Sequence, residues 1–139
     1  MREKNGATII CGGKMAEEKG ELYYEPTMIV DCTVDMKCFK QEIFGPIIPI
    51  IKFKDESDAF AMANSHPTGL AGYVMSRDNA QIWRVTEALE VGMVGVNEQV
   101  VSTDRVAFGG IKHSRLGREG SVHGLDEYTE FKLVELGLE

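Results

Sequence analysis

The sequence predicts an α/β fold in which a parallel βαβαβ sheet is flanked by helices and a further strand lies near the chain end. Apolar runs recur at residues 47–53, 70–75 and 93–96, as expected of buried strands. Two amphipathic stretches separate these runs, and each is too long for a hairpin but long enough for a helical crossover. Strands joined by such crossovers are parallel, with right-handed connections.

Each predicted helix has a start signal and an apolar face. Residues 55–58 provide N-cap candidates and acidic first-turn residues for the first helix, which stops before Pro67. Asp78 caps the second helix, with Gln81 as its capping-box partner and Gly92 as its end. The residues expected to be buried are Ala59, Phe60, Met62 and Ala63 in the first helix, and Ile82, Val85 and Leu89 in the second.

The two ends of the chain lack the regular alternation of strands and helices that is predicted for the middle. Residues 7–10 predict a short strand, and residues 22–30 predict a broken strand with a bend at Pro26. Near the carboxyl end, a helical turn at 125–128 precedes a strand at 130–136. A terminal strand with an unpaired edge needs a partner, from its own sheet or from another chain.

Composition narrows the class of protein. The 139 residues suggest one compact domain, and 15 basic against 22 acidic side chains give a net charge of −7. Such a chain is a poor general binder of nucleic acid or anionic membranes. The longest apolar run, residues 46–51, is far shorter than a membrane span, and residues 1–5 lack the apolar segment of a signal peptide.

The three cysteines, Cys11, Cys32 and Cys38, show no CxxC spacing. This odd number argues against a disulfide framework or a zinc site and fits a reducing compartment. Cys11 ends an apolar strand and is expected to be buried, whereas Cys32 and Cys38 flank acidic residues that raise a thiol pKa. The three histidines are scattered, so no metal site is expected.

Glu42 and Phe44 precede the first buried strand and form the first candidate site. In an extended chain, residues two apart share a face. A carboxylate and an aromatic ring on one face suit a ligand with sugar hydroxyls and a ring, and the alternative is a solvated glutamate beside a core phenylalanine.

A second group of candidates lies in the glycine-rich stretch that follows the predicted strand at 93–96. Phe108 precedes Gly109 and Gly110, whose small size permits close approach to a ligand, although a plain turn is the alternative. Ser102 can donate a hydrogen bond to a substrate carboxylate or simply be solvated. Arg118 and Glu119 can bind an anion or form a structural ion pair. These residues alone leave the reaction open.

Six motifs nevertheless occur together in the order and spacing of one family. They resemble the carboxyl-terminal part of an aldehyde dehydrogenase over nearly the whole chain, and most closely the succinate-semialdehyde dehydrogenases within that family. The motifs are YEPT at 24–27, QEIFGP at 41–46, GLAG at 69–72, GMVGVN at 92–97, FGG at 108–110 and GRE at 117–119.

The resemblance implies a domain organisation and a reaction. Residues 1–124 would be the carboxyl-terminal part of the catalytic domain, and residues 125–139 a carboxyl-terminal oligomerisation arm of a homo-oligomer. The full-length enzyme would use NAD or NADP to oxidise succinate semialdehyde, or a related aldehyde, to the acid through a cysteine thiohemiacetal. The expected compartment is the cytoplasm, or the mitochondrial matrix if a transit peptide precedes the chain.

The resemblance also assigns roles to four residues. Glu42 would bind the nicotinamide ribose hydroxyls, and Phe44 would pack near the nicotinamide ring. Ser102 would help to hold the substrate carboxylate, and Phe108 would line the substrate tunnel. Two positions depart from the family pattern, namely Ala107, where proline is usual, and Arg115, where glycine is common.

No catalytic residue is expected within this chain. The family's nucleophilic cysteine and general-base glutamate lie upstream, and none of the three cysteines falls on the nucleophile's motif. The chain is therefore expected to be an inactive fragment that binds no cofactor by itself. The alternatives are a non-catalytic assembly module that uses an exposed sheet edge, and a complete small enzyme that uses Cys32 or Cys38.

Overall fold

The computed structural model describes residues 6–137. The chain divides into two compact units, Met1–Met62 and Ala63–Glu139, which are described one at a time. The boundary expected from the family resemblance, between residues 124 and 125, remains a prediction. No helix within the described range is long and apolar enough to cross a membrane.

The first unit contains a three-stranded mixed sheet. Its strands are β1 (Thr8–Cys11), β2 (Thr27–Val30) and β3 (Ile47–Pro49), in the order β1-β2-β3. β1 is antiparallel to β2, and β2 is parallel to β3. A 3₁₀ turn at Glu17–Lys19 and the short helix α1 (Lys37–Lys40) connect the strands.

The core of this unit is small and lies beside β2. Ile29, Cys32 and Met36 are its buried members. Partly buried side chains pack around them, namely Ala7, Cys38, Ile47 and Ile51. Cys11, in contrast, is exposed at the end of β1, so the prediction that it would be buried was wrong. An apolar strand predicts burial only where another layer covers that face.

The helix α2 (Glu56–Asn64) begins where the sequence predicted. One carboxylate oxygen of Asp55 accepts hydrogen bonds from the Asp58 amide at 2.9 Å and the Ser57 hydroxyl at 2.6 Å. The Lys54 amide donates in return to the Asp58 carboxylate at 3.0 Å. The Ser57 hydroxyl and then the Asp58 amide hold the pKa of Asp55 below its usual value, because both favour the ionised carboxylate.

The second unit contains two small sheets. β5 (Ala71–Val74) and β6 (Met93–Val96) form a parallel pair, joined by helix α3 (Asn79–Ala88). β4 (Thr68–Gly69) pairs in antiparallel fashion with β7 (Ile111–Lys112). A 3₁₀ helix at Val122–Tyr128 includes the predicted helical turn. The β5–α3–β6 segment confirms one predicted βαβ unit.

The single βαβαβ sheet is not formed within the described residues. β3, which was predicted to be its first strand, pairs with β2 instead. β3 is also shorter than predicted, and Ile48 is exposed, so the strand is not buried on both faces. Pro49 is its last residue, and proline has no amide hydrogen with which to extend a ladder.

The start of α3 confirms one capping residue and corrects another. The Asp78 carboxylate accepts a hydrogen bond from the Ala80 amide at 2.9 Å, as expected of an N-cap. The Gln81 side chain accepts from the Ser76 hydroxyl at 2.6 Å, and the Asp78 amide, which the capping box would bond to Gln81, donates to that hydroxyl at 3.1 Å. Gln81 therefore joins the helix to the end of β5.

The end of α3 also differs from the prediction. The helix stops at Ala88, and Leu89 is already extended, whereas Gly92 was expected to end it. The helix face predicted from spacing is correct, because Ile82, Val85 and Leu89 are each half-buried. On α2, the predicted face is half-buried except at Ala63, which is exposed.

Residues 129–137 form no helix or strand. Phe131, Leu133 and Leu136 have relative exposures of 110%, 92% and 83%. The predicted terminal strand is therefore not assembled within the part of the chain that the structure describes. A strand gains its hydrogen bonds only when a second strand lies beside it.

Candidate functional site

In the first unit, the segment 41–46 is held at both ends. The Gln41 amide donates to the Lys37 carbonyl at 2.9 Å, and the Thr27 amide donates to the Pro46 carbonyl at 2.8 Å. Thr27 is 3% exposed, and its hydroxyl accepts from the Gly13 amide at 2.8 Å. A buried threonine thus anchors the point at which the segment enters β3.

Between these anchors, Phe44 is 93% exposed with a φ of 50°. A bulky residue rarely adopts the left-handed region, which costs about 1–3 kcal/mol and is held by the surrounding structure. Glu42 is exposed two residues earlier. The two side chains were expected to share one face of an extended chain. The backbone at Phe44 is left-handed and not extended, so this expectation was wrong. The structure therefore presents an unburied carboxylate and an unburied ring.

In the second unit, the loop that follows β6 begins with a two-sided amide contact. The Asn97 side chain accepts from the Ser76 amide at 2.9 Å and donates to the Ser76 carbonyl at 2.8 Å. The Asn97 amide donates to the Val74 carbonyl at 2.9 Å. Asn97 therefore joins the carboxyl ends of the parallel strands β5 and β6, which is where α/β proteins place their binding loops.

Glu98 caps the first turn of this loop. Its carboxylate accepts from the Gln99 amide at 2.7 Å and the Val100 amide at 3.3 Å. These two bonds hold the pKa of Glu98 below its usual value, the Gln99 amide having the larger effect. The capped turn leads directly to Ser102, which is exposed.

A short antiparallel pairing closes the far side of the loop. The Phe108 amide donates to the Glu119 carbonyl at 2.8 Å, and the Glu119 amide donates back at 2.7 Å. The Ser121 amide donates to the Asp104 carbonyl at 3.1 Å. These bonds position Phe108, which is half-buried.

Phe108 lines a cleft of about 680 Å³ in the second unit. Gly109 and Gly110 form the adjacent wall, with Arg118, Glu119 and Tyr128 elsewhere in the lining. Gly92 is required here, because a Cβ atom at that position would overlap the Gly109 carbonyl. The glycine pair thus packs closely against the turn before β6 and presents Phe108 to the cleft. Ser102 is not among the residues that line it.

Arg118 holds the cleft wall together. Its Nη1 donates to the Gly110 carbonyl at 3.0 Å and to the Gly117 carbonyl at 2.8 Å. Its amide donates to the Glu127 carboxylate at 3.3 Å. Within the described residues its guanidinium therefore contacts backbone carbonyls and does not form the ion pair considered from the sequence, while anion binding remains a prediction.

Lys112 provides a second tether that sequence reasoning missed. Its Nζ lies 2.6 Å from the Glu90 carboxylate and donates to the Asn64 carbonyl at 2.9 Å. The Asn64 side chain in turn donates to the Ala88 carbonyl at 2.7 Å and accepts from the Glu90 amide at 2.9 Å. No spacing rule connects these residues, because they come from separate parts of the chain.

Arg115, at a position where the resemblance predicts glycine, has a φ of 94°. Glycine adopts this backbone conformation without a steric penalty, whereas arginine does not. Arg115 also lines the cleft, so its long charged side chain occupies a wall where a glycine would leave space.

The buried cysteine, Cys32, lacks the exposed and activated thiol of a catalytic nucleophile. Cys32 is 4% exposed, and burial raises the pKa of its thiol, followed by the neighbouring Cys38 thiol. Asp31 also raises this pKa, but it is the weakest cause, so the acidic neighbours matter less than the sequence suggested. Among residues 6–137, no group of three His, Cys, Asp or Glu side chains could hold a metal ion.

The aldehyde dehydrogenase family model matches residues 2–134. The chain belongs to the aldehyde dehydrogenase family. The motifs at 41–46 and 108–110, which the structure places in the segment around Phe44 and in the cleft wall, are thus parts of an aldehyde dehydrogenase fold.

Among curated aldehyde dehydrogenases, the chain is 54% identical over 132 residues to the mitochondrial succinate-semialdehyde dehydrogenase of Homo sapiens, covering 95% of this chain and 24% of that protein. It is 47% identical over 135 residues to the succinate-semialdehyde dehydrogenase [NADP(+)] of Escherichia coli (strain K12), covering 97% of this chain and 28% of that protein. The chain spans about a quarter of the length of these relatives.

Solved structures agree with this assignment. An NADP-dependent enzyme from E. coli superimposes with a TM-score of 0.90 at 47% identity, over 96% of this chain and 27% of that one. A betaine aldehyde dehydrogenase from Staphylococcus aureus, solved with NAD+, superimposes with a TM-score of 0.83 at 38% identity, over 88% of this chain and 25% of that one. The relatives of this aldehyde dehydrogenase chain thus include enzymes of both nicotinamide cofactors.

The four residues assigned by resemblance lie in two places. Glu42 and Phe44 are in the first unit, and Ser102 and Phe108 are in the second. Within the second unit, Phe108 lines the cleft, whereas Ser102 lies on the exposed loop that leads to it. Their roles in cofactor and substrate binding remain predictions.

Proposed function

We propose that this chain is the carboxyl-terminal part of an NAD(P)-dependent enzyme that oxidises succinate semialdehyde, or a related aldehyde, to the carboxylic acid. The observation that carries the proposal is the 54% identity over 132 residues to human succinate-semialdehyde dehydrogenase. The betaine aldehyde dehydrogenase from Staphylococcus aureus, by comparison, is 38% identical to this chain.

Glu42 and Phe44 would hold the nicotinamide end of the cofactor. Both are exposed, and the backbone holds the Phe44 ring in solvent at a strained φ of 50°. A carboxylate accepts two hydrogen bonds from a ribose diol, and an exposed ring offers a flat surface to a heteroaromatic ring. When bound, NAD or NADP accepts the hydride of the aldehyde. The residues present therefore fit the cofactor.

Ser102 and Phe108 would contact the substrate. The Ser102 hydroxyl is exposed on a loop that is capped at Glu98 and closed by the pairing of Phe108 with Glu119. A hydroxyl donor suits the carboxylate of succinate semialdehyde, and the Phe108 ring suits its methylene groups. This arrangement supports recognition of a short aldehyde with an anionic tail.

The chain by itself would be inactive and would hold no cofactor tightly. Oxidation through a thiohemiacetal requires an activated thiolate and a base in one site. Cys32 is buried with a raised thiol pKa, which disfavours the reading of a small complete enzyme. The nucleophile and the base would come from a preceding part of a longer enzyme, in the cytoplasm or the mitochondrial matrix.

An assembly role is the second candidate function. The apolar side chains of Phe131, Leu133 and Leu136 are almost fully exposed in residues 129–137. Exposed apolar residues of this kind favour contact with another chain. Residues 125–139 would then act as an oligomerisation arm of a homo-oligomer, with no nucleic acid or membrane as partner.

A hybrid enzyme tests the catalytic proposal. The matching carboxyl-terminal quarter of the E. coli relative is replaced by this chain, and NADP reduction is followed with succinate semialdehyde. We expect the hybrid to turn over and the isolated chain to show none. Turnover by the isolated chain would contradict the inactive reading, and a folded hybrid that oxidises only uncharged aldehydes would contradict the substrate assignment.

Glu42→Gln in the hybrid tests the cofactor role, with the exposed Glu21→Gln as the matched control. Loss of the carboxylate should raise the KM for the cofactor and lower kcat, because the ribose would be held less firmly. Unchanged kinetics would remove Glu42 from the site.

The assembly role is tested by light scattering of the isolated chain and of a chain truncated after residue 128. Only the longer chain should associate.

A further inference from the structure

Two thiols lie in contact in the first unit. The Cys38 thiol donates to the Cys32 sulfur across 3.9 Å, and the Cys32 thiol donates to the Ile29 carbonyl at 3.5 Å. The two sulfurs come from different segments, since Cys32 lies just after β2 and Cys38 lies in α1. Neither thiol has a place in the reaction proposed above.

Backbone hydrogen bonds hold the two thiols in this position. The Cys32 amide donates to the Ile50 carbonyl at 3.1 Å, which fixes the chain just after β2. The Met36 amide donates to the Thr33 carbonyl at 3.1 Å, and the Lys40 amide donates to the Met36 carbonyl at 3.1 Å. These turns bring Cys38 back over Cys32, so the proximity is a property of the folded chain.

The two thiols differ in exposure. Cys32 is 4% exposed in the core of the unit, whereas Cys38 is half-buried at the edge of that core. A small oxidant therefore reaches Cys38 first. Once Cys38 is oxidised, the buried Cys32 sulfur is the thiol already in contact with it.

We propose that Cys32 and Cys38 form a redox modification site, at which a peroxide converts the two thiols to an intrachain disulfide. The site stands independently of the aldehyde chemistry. It lies just before residues 41–46, so the bond would tie α1, from which that segment leaves, to the end of β2.

The chemistry takes two steps. The Cys38 sulfur attacks one oxygen of hydrogen peroxide, the O–O bond breaks, and the departing hydroxide takes the thiol proton to form water. The Cys32 sulfur then attacks the sulfur of the resulting sulfenic acid, and the S–O bond breaks. The second hydroxide leaves as water with the Cys32 proton. The two thiols lose two electrons, and the peroxide is reduced to two water molecules.

Peptide mapping tests this site directly. The folded chain is treated with hydrogen peroxide, its remaining thiols are alkylated, and it is digested with trypsin. Cleavage after Lys37 places Cys32 in the peptide 20–37 and Cys38 in the peptide 38–40. We expect these two peptides to appear as a disulfide-linked pair that is lost on reduction.

Cysteine variants and a control in urea test whether the disulfide depends on the contact between Cys32 and Cys38 in the folded chain. Cys11→Ser should keep the linked pair, whereas Cys38→Ser should lose it, and Cys32→Ser should leave a Cys38 sulfenic acid that dimedone traps. Equally rapid linkage in urea would overturn the proposal, because the folded contact would then be irrelevant. Linkage mainly to Cys11 or between two copies would also overturn it, as would wild-type chain in which Cys38 is oxidised but unlinked.

Discussion

The Asn97 side chain contacts both the amide and the carbonyl of Ser76, at 2.9 Å and 2.8 Å. One residue at the end of β6 thereby fixes the turn that follows β5. Asn97 has a φ of 52°, a left-handed conformation that asparagine tolerates better than most residues. The contact places the start of the loop that carries Glu98 and Ser102.

Asn97→Asp is expected to destabilise the chain by about 1 kcal/mol. Aspartate tolerates the same backbone conformation, but it cannot donate to the Ser76 carbonyl and instead places a carboxylate oxygen against it. Urea unfolding at neutral pH measures the change. The control Asn79→Asp introduces the same charge at the start of α3, where a negative charge is favourable. An equal loss in both variants would contradict the role of the Ser76 contact.

Arg115→Gly should increase stability by roughly 0.5–1 kcal/mol. Relief of the strain at a φ of 94° is worth about 1–2 kcal/mol, and the greater freedom of glycine in the unfolded chain offsets about half of it. The control Arg105→Gly removes an exposed arginine outside the left-handed region and should reduce stability. Thermal unfolding of both variants checks the opposite signs, and a loss of stability in Arg115→Gly would show that φ is not the deciding factor.

Glu98→Gln should change how the free energy of unfolding depends on pH in the acidic range. The pKa of Glu98 is lowered in the folded chain by the Gln99 and Val100 amides. Its ionised form therefore adds stability above the usual glutamate pKa, and that stability is lost as the pH falls through the lower folded pKa. The difference between wild type and Glu98→Gln should shrink below about pH 4.5, the usual value. Urea midpoints over this range measure it.

The control for this titration is Glu135→Gln. Glu135 is exposed in the segment 129–137, which has no regular structure, so its substitution removes a carboxylate without disturbing a capped turn. A difference between wild type and Glu98→Gln that is constant with pH would contradict the link between the capped turn and protonation.

Ser102→Ala in the hybrid enzyme should raise the KM for succinate semialdehyde about tenfold, the effect of one hydrogen bond to a charged group. The KM for an uncharged aldehyde of similar length should change much less, because that substrate offers no carboxylate. The control Thr103→Ala removes a neighbouring hydroxyl that donates to Asp104 at 3.2 Å. Equal effects of Ser102→Ala on both aldehydes would argue against the carboxylate role.

Features that depend on near neighbours in the chain were predictable. The Asp55 and Asp78 caps and the inward face of α3 follow from residues a few positions apart. The β5–α3–β6 unit follows from two apolar runs and the length of the crossover between them. The family was predictable as well, because six short motifs in register are specific as a set, and the family match over residues 2–134 confirms it.

Features that depend on distant residues were not predictable. The pairing of β3 with β2, the Lys112 contact with Glu90, and the Arg118 bonds to the Gly110 and Gly117 carbonyls leave no periodic signal. The predicted capping role of Gln81 was wrong for a different reason, because the nearby Ser76 hydroxyl competes for the same groups.

The sequence by itself determined the family, the helix starts and the residue types available for cofactor and substrate binding. Only the tertiary structure decided which strands pair, that Phe44 stands in solvent on a left-handed backbone, and that the Cys32 and Cys38 thiols touch. Local patterns record the preferences of neighbouring residues, whereas pairing, strain and side-chain contact depend on which distant segments the folded chain brings together.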